Sequence, residues 1–510
     1  MKKRNSLKTL ILLTAAVFAI SVHAEAKTNE LGQGSRYEDY LEDGSLYKGQ
    51  MEDDKKDGVG TIFYPDEGRL DGTWCQDKIE GNVLFTYEDG SCFKGCYRND
   101  EKNGLGVMID ADGNTETGIW EDGEKTEGLR SMEKDGNVYY IEAIEDLHGG
   151  KGIIVYANGN IYIGDLIRSE CPEGNGTMYY ANGAWYTGEW KDGKREGEGI
   201  LYGSIPDSGE LNPSYTKCAW EEDEQTGIGV FWNSKGECAI GDFTNGKGKY
   251  NGEGVKIDQN GTASVKEWEN GTEKSSSPEV WENTNGDRYV GTKKGNVIDG
   301  HGMCIFKDGY VYIGDFEDGI MSGEGFHYWP EKDIWYTGEF ENGIMDGMGT
   351  LHFHSAFYKG ELKKGKLDGE GTISYTNGEW IEGTWEKGER YSDIHTRIRE
   401  DGSTYVEVYE NGKKKEGDVG VTMYKEPGYS GVSGVFVPGE YHIADMVKRG
   451  ISNRSISSMK VPDGYSVTVY TEDECEGNSN EITGDIDLSN RRKGDQQLDD
   501  LISSFVVEKE

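Results

Sequence analysis

From about residue 45 to 413 the chain alternates short apolar–polar runs with acidic, glycine-bearing turns. A period of two marks a strand, because successive side chains point to opposite faces. The stretch YIGDFEDGIMSGEGF (Tyr312 to Phe326) is two such runs around Glu-Asp-Gly, and YTGEFENGIMDGMGTLHF (Tyr336 to Phe353) repeats it. Aligned on the glycine of Tyr-x-Gly, the pattern falls at Gly49, Gly72, Gly95 and Gly118, each 23 residues apart. It falls again at Gly291, Gly314, Gly338, Gly360 and Gly383, 22 to 24 apart. Nine residues after the anchor comes Gly-x-Gly, as in Gly58/Gly60, Gly104/Gly106, Gly300/Gly302, Gly323/Gly325, Gly347/Gly349 and Gly369/Gly371.

The gaps hold decayed copies. Ile141 occupies the anchor position 23 residues after Gly118, and Gly164 restores the register 23 residues later. Cys218 replaces another anchor, while Lys266 and Glu407 mark weaker copies betrayed by Trp268 and Tyr409. The Gly203–Pro213 stretch reads as a surface insertion. About 16 units in unbroken phase predict one array at 45–413, each unit a β-hairpin. An aromatic sits two before the anchor (Tyr47, Tyr162, Tyr186, Tyr289, Tyr312, Tyr336, Tyr358) and another tends to sit two after it (Trp74, Trp120, Trp190, Phe243, Phe316, Phe340, Trp385). Those rings share one face of the strand, and the glycine between them leaves room for rings to lie over the backbone. A hairpin is unstable alone and buries its ring face only against its neighbours.

This pattern resembles the membrane occupation and recognition nexus (MORN) repeat, in copies such as YTGEWKDGKREGEGILY (Tyr186 to Tyr202). The resemblance implies an all-β fold, an elongated single-layer hairpin array serving as scaffold or dimerisation surface. Two strands per unit at about 4.8 Å each would give 16 units a length on the order of 150 Å.

Glycine, 76 of 510 residues, is about twice its usual share, in keeping with many turns. The net charge is −41 overall, and the four cations of residues 1–24 leave −45 on the remainder. That much negative charge disfavours nucleic acid and anionic lipid and favours cations, basic partners or plain solubility. Residues 1–24 read as a signal peptide: Lys2, Lys3 and Arg4, an apolar run from Leu10 to Val22, then Val22-His23-Ala24. That predicts an exported chain, secreted or in the periplasm or cell envelope, with a linker at 25–44 and no stable membrane insertion. Cys75, Cys92, Cys96, Cys171, Cys218, Cys238, Cys304 and Cys475 make no Cys-x-x-Cys pair.

After about Gly417 the spacing breaks and two longer units echo each other at an offset of 46 residues: Tyr424-x4-Tyr429-x-Gly431 with NRSISS (Asn453 to Ser458), and Tyr470-x4-Cys475-x-Gly477 with DDLISS (Asp499 to Ser504). Residues 418–510 resemble a βγ-crystallin domain of the bacterial spore-coat type, which implies two Greek keys in a β-sandwich and calcium sites. The resemblance assigns the ligands to Asn453, Arg454, Ser455 and Ser457, and to Asp499, Asp500, Leu501 and Ser503, joined by the carbonyls of Glu426 and Glu472. A set of oxygens suits a hard cation. Arg454 departs from the motif and puts a positive charge beside the first site.

No nucleophile elbow, P-loop or metalloprotease helix occurs in the array. His352 and His354 share a strand face but make an incomplete metal site. The expectation is a non-enzymatic scaffold that takes a protein partner, or itself, through the array; a small-molecule substrate is not expected. The rival is a carbohydrate-binding surface adhesin with Trp and Tyr rings exposed in rows.

Overall fold

The computed structural model describes residues 36–509 apart from 42, 53–54, 128, 142–148, 168–170, 204–214, 233–236, 243–251, 259–261, 270–271, 275–278, 331–333, 354–355, 376–378, 399–402, 416–418, 443–444, 447–448, 450, 452–454, 473, 489–491, 494–495 and 498–501. The leader, most of the linker, residues 204–213 of the insertion, Phe243 and His354 therefore lie outside the described residues.

The repeats form antiparallel meanders in which each strand pairs with its sequence neighbours. The all-β hairpin reading holds, and the decayed copies keep the ladder: Ile141 pairs with Gly152 and Cys218 with Gly199. The single unbroken run is corrected. Among the described residues, the strands divide into sheets of nine, thirteen and thirteen, covering Arg36–Glu127, Arg130–Glu273 and Trp281–Lys414. The first sheet also starts earlier than expected. Arg36–Tyr40, inside the supposed linker, pairs with Leu46–Glu52 and extends the open edge of the first hairpin.

A spine of glycines crosses each sheet, anchor against Gly-x-Gly, as in Gly338↔Gly349↔Gly360↔Gly371↔Gly383. In copies such as those at Gly49, Gly164 and Gly360 the residue after the anchor bulges, and the tyrosine two before the anchor reaches over the spine to bond that residue's carbonyl. Tyr47, Tyr162 and Tyr358 donate to Gln50, Asp165 and Glu361 at 2.8, 2.7 and 2.9 Å. A Cβ at Gly349 would lie 2.3 Å from the Tyr336 ring, so glycine is required there. The same ring meets the aromatic of the next unit edge-on: Tyr47 with Trp74 at 5.3 Å, Tyr312 with Phe340 at 5.1 Å, Tyr358 with Trp385 at 5.4 Å. Such pairs add about 0.5–1.5 kcal/mol beyond burial, which ties each unit to its neighbour. Hairpin turns such as Asn342-Gly343 and Asp318-Gly319 hold two positive φ angles in succession, matching the twist of the strands.

The opposite face explains the division. Beside the spine stand Val59, Leu84 and Val107 in the first sheet, Ile153, Ile163, Val230, Ile240, Val255 and Val265 in the second, and Val290, Met303, Ile313 and Phe326 in the third, all buried in one cluster. Three meanders with two apolar faces therefore share a core, and the rod estimated from strand spacing is folded against itself. Contacts across the sheets agree. The Tyr179 hydroxyl donates to the Val83 carbonyl at 2.7 Å, and Asn82 bonds the Thr177 hydroxyl at 2.8 Å. His352 approaches Glu198 across the second and third sheets at 3.3 Å and stacks on Trp335 at 4.3 Å, so it packs. Burial pushes the Glu198 carboxyl up, but His352 and Lys359 together hold it below its ordinary value.

The C-terminal residues form two four-stranded sheets. One runs Ser430–Phe436, Val421–Glu426, Ser458–Lys460, Ile486–Asp487; the other runs Gly439–Tyr441, Ser504–Lys509, Tyr465–Tyr470, Ser479–Ile482. Each half of the unit lends its third strand to the other half's sheet, a paired Greek-key arrangement around a core that includes Met423, Phe436, Ile456, Val467 and Phe505.

Candidate functional site

The two echoing motifs meet in matching geometry. After Val421–Glu426 the chain folds over itself with Gly428, Tyr429 and Gly431 at positive φ; after Tyr465–Tyr470 it does so with Glu474, Cys475 and Gly477. One serine pins each fold. The Ser458 hydroxyl donates to the Glu426 carbonyl at 2.8 Å and accepts from the Tyr429 N–H at 3.0 Å. The Ser504 hydroxyl donates to the Glu472 carbonyl at 2.6 Å and accepts from the Cys475 N–H at 3.0 Å. Both serines are fully buried. The motif resemblance assigns their neighbours, Ser457 and Ser503, and leaves these two out; their place as second of each serine pair, 46 residues apart, is the signal that marks them.

Of the ligands that the motif resemblance assigns, five are described. Glu426 and Glu472 are exposed, with the carbonyls just mentioned at the mouths of the folded hairpins. Ser455 and Ser457 are partly buried, and Ser503 is buried. The Ser457 and Ser503 N–H groups donate to the Tyr424 and Tyr470 carbonyls, each at 2.9 Å, bringing each serine beside its own half's hairpin. Asn453, Arg454, Asp499, Asp500 and Leu501 lie outside the described residues. The described donors named for the sites are all oxygens, which fits a hard cation and not a soft one.

This unit is docked on the last repeats. Arg449, 5% exposed, bonds Glu382 at 3.2 Å and lies over the rings of Trp380, Tyr441 and Phe436 at 5.3, 5.0 and 5.7 Å. The Thr404 hydroxyl donates to its carbonyl at 3.0 Å, and the Ser433 N–H donates to the Ser403 hydroxyl at 2.9 Å. Arg449 stands four residues before Asn453 in the chain. No two of the eight cysteines are joined in a disulfide.

A family model for the MORN repeat matches residues 47–69, 93–115, 172–185, 186–204, 289–309, 312–334, 336–355 and 358–380. The chain carries MORN repeats. The matched copies lie in all three sheets, and the hairpins at Ile141 and Cys218, between matched copies of the MORN array, keep the same pairing. Among solved structures, a βγ-crystallin domain from Flavobacterium johnsoniae is 32% identical, with 18% of this chain and 96% of that one covered and a TM-score of 0.16. The N-terminal domain of protein S is 28% identical, with 18% and 94% covered and a TM-score of 0.16. A βγ-crystallin domain from Clostridium beijerinckii is 30% identical, with 17% and 95% covered and a TM-score of 0.16.

Proposed function

We propose that the protein is an exported, non-enzymatic scaffold of the cell envelope or extracellular space. Its MORN array makes the contacts, with a protein partner or a second copy, and a calcium-stabilised βγ-crystallin-type domain closes its C-terminal end. The observation that carries the scaffold reading is where the rings go. Tyr47, Tyr162, Tyr186, Tyr312, Tyr336 and Tyr358 are fully buried over the glycine spine. An adhesin that stacks sugars on rows of tyrosines needs those rings in water, so the rival loses its main support. What the array offers instead is broad sheet surface, open strand edges and turns rich in carboxylates.

The calcium part rests on the folded hairpins, the exchanged third strands and the oxygen donors. The Glu426 and Glu472 carbonyls with the Ser457 and Ser503 hydroxyls, completed by the Asn453–Ser455 and Asp499–Leu501 loops, are the ligands of two sites. A bound cation would neutralise part of a strongly acidic chain and hold both halves of the domain in register.

Crosslinking in the intact producing cell tests the scaffold reading. Recovery of the chain from the envelope fraction joined to itself or to one recurring protein supports it. Recovery as an uncrosslinked monomer that is retained on a glycan array and released by free sugar favours the adhesin.

A further inference from the structure

The exchange of third strands brings together three side chains that neither the repeats nor the calcium motif uses. Glu440 and His442 come from the first half of the C-terminal unit, at the end of Gly439–Tyr441; Cys475 comes from the folded hairpin of the second half. One ligand atom from each lies within 4.8 Å of the other two, and the His442 Nε2 is 3.5 Å from a Glu440 carboxylate oxygen. Ligand atoms around a tetrahedral zinc ion are about 3.5 Å apart, so small rotations of the half-buried His442 and Cys475 and the exposed Glu440 close the set.

Backbone hydrogen bonds hold Tyr441 and His442 on one side and Cys475 on the other. Tyr441 pairs with Phe505, and Ser504, the next residue back, accepts the Cys475 N–H and donates to the Glu472 carbonyl. The His442 N–H donates to Asp445 at 3.1 Å, and its carbonyl accepts from the Met446 N–H at 3.1 Å. Cys475 itself holds a φ of 54°, a left-handed conformation that non-glycine residues adopt where the surrounding structure demands it.

The two halves differ at this place. Cys475 stands 46 residues after Tyr429, at the same place in the second motif. In the first half the Tyr429 ring packs edge-on against Tyr424 at 6.1 Å, and the strand lent by the other half supplies Asp487, which accepts the Gly428 N–H at 3.0 Å. Those contacts are structural. In the second half the ring is replaced by a thiol, and the lent strand supplies an imidazole and a carboxylate.

We infer that Glu440, His442 and Cys475 form a site for a zinc-class divalent transition metal, with three protein ligands and a fourth position open to water. The sulfur and nitrogen donors select such an ion over calcium, which takes oxygens. On binding, the Cys475 thiol releases its proton to solvent and the thiolate sulfur forms the metal bond. Because its ligands come from both halves, the ion staples the two Greek keys together independently of calcium.

Cobalt(II) titration of the reduced, mature full-length chain tests the inference, since a thiolate ligand gives cobalt a charge-transfer absorption that oxygen ligands do not. The expected result is that band rising to one equivalent, bleached by zinc and indifferent to excess calcium. Cys475→Ser removes the band, His442→Ala weakens binding at least about tenfold, and Glu440→Gln, at the exposed rim, weakens it while leaving the circular dichroism unchanged. A band that persists in Cys475→Ser, binding that His442→Ala and Glu440→Gln leave untouched, cobalt displaced by calcium, or no charge-transfer band at all would each overturn it.

Discussion

The hydroxyl of Tyr358 donates to the carbonyl of Glu361 at 2.9 Å, and in doing so lays its ring across Gly360 and Gly371. Glu361 is the bulged residue, left out of the ladder between Gly360 and Leu362, so the bond satisfies an acceptor that the strand itself leaves over. Tyrosine, glycine and bulge are thus one device.

That device predicts an order of severity. Tyr358→Phe keeps the ring and loses one hydrogen bond, at a cost of about 1 kcal/mol. Gly371→Ala puts a Cβ 2.3–2.5 Å from the ring and should cost clearly more. Gly347→Val, where φ is +120° and a Cβ would lie 2.5 Å from the Glu339 carboxylate, should exceed about 1 kcal/mol. Denaturant midpoints of the three variants check it; a Gly371→Ala as mild as Tyr358→Phe would contradict the packing described.

Acid should loosen the third sheet through His327. This imidazole stacks on Trp329 at 4.2 Å with Tyr310, Tyr312 and Phe340 nearby, and among the described residues its Nε2 has no hydrogen-bond partner. Burial pushes its pKa down from 6.5 to about 3. The unfolded chain therefore takes up the proton first. The contribution to stability is fully present above about pH 6.5 and declines as pH falls toward about 3, by about 1.4 kcal/mol per pH unit. His327→Leu should flatten the pH dependence of the unfolding free energy by one proton over that window. Parallel pH profiles for both proteins would sink the assignment.

Arg449 should couple the array to the C-terminal unit. Arg449→Met removes the ion pair to Glu382 and the charge between Trp380 and Tyr441, while Glu382, partly exposed, recovers water. The expected loss is about 1–3 kcal/mol of docking, seen as faster proteolysis between residues 414 and 421 with the two parts left intact. Wild-type cleavage kinetics would mean that Thr404 and Ser403 hold the junction without it.

Much of this fold was legible in the residues. The phase of the glycines implied the hairpins, and it ran so evenly that even Ile141 and Cys218 could be placed at anchor positions. The same evenness concealed the sheet boundaries, because the 23-residue step from Gly118 to Ile141 continues across the break near residue 128. The shared core had a quieter signal. Beside the anchor stand Ile163, Ile240, Val265, Val290 and Ile313, all buried in the shared core, where other copies carry Lys48, Lys94, Thr187 and Lys359. Averaging the copies into one repeat erases that difference. In the C-terminal unit the paired motifs were readable, but the trio of Glu440, His442 and Cys475 was not, since only the strand exchange makes residues 33 to 35 apart neighbours.

Thermal unfolding of the mature chain with and without calcium tests most directly the proposal of a scaffold closed by a calcium-stabilised domain. Binding to the folded form alone stabilises by about 2.7 kcal/mol at 100 times Kd, so calcium should raise the midpoint of the C-terminal transition in a saturable way. Arg454→Asn, which removes a positive charge from the first motif, should reach the same rise at lower calcium. It is a cleaner probe than Ser503→Arg, because Ser503 is buried and its N–H is bonded to Tyr470, so an arginine there disturbs the fold itself. Melting curves that superimpose at millimolar calcium, for both the wild type and Arg454→Asn, would contradict the account and leave the C-terminal unit a purely structural cap.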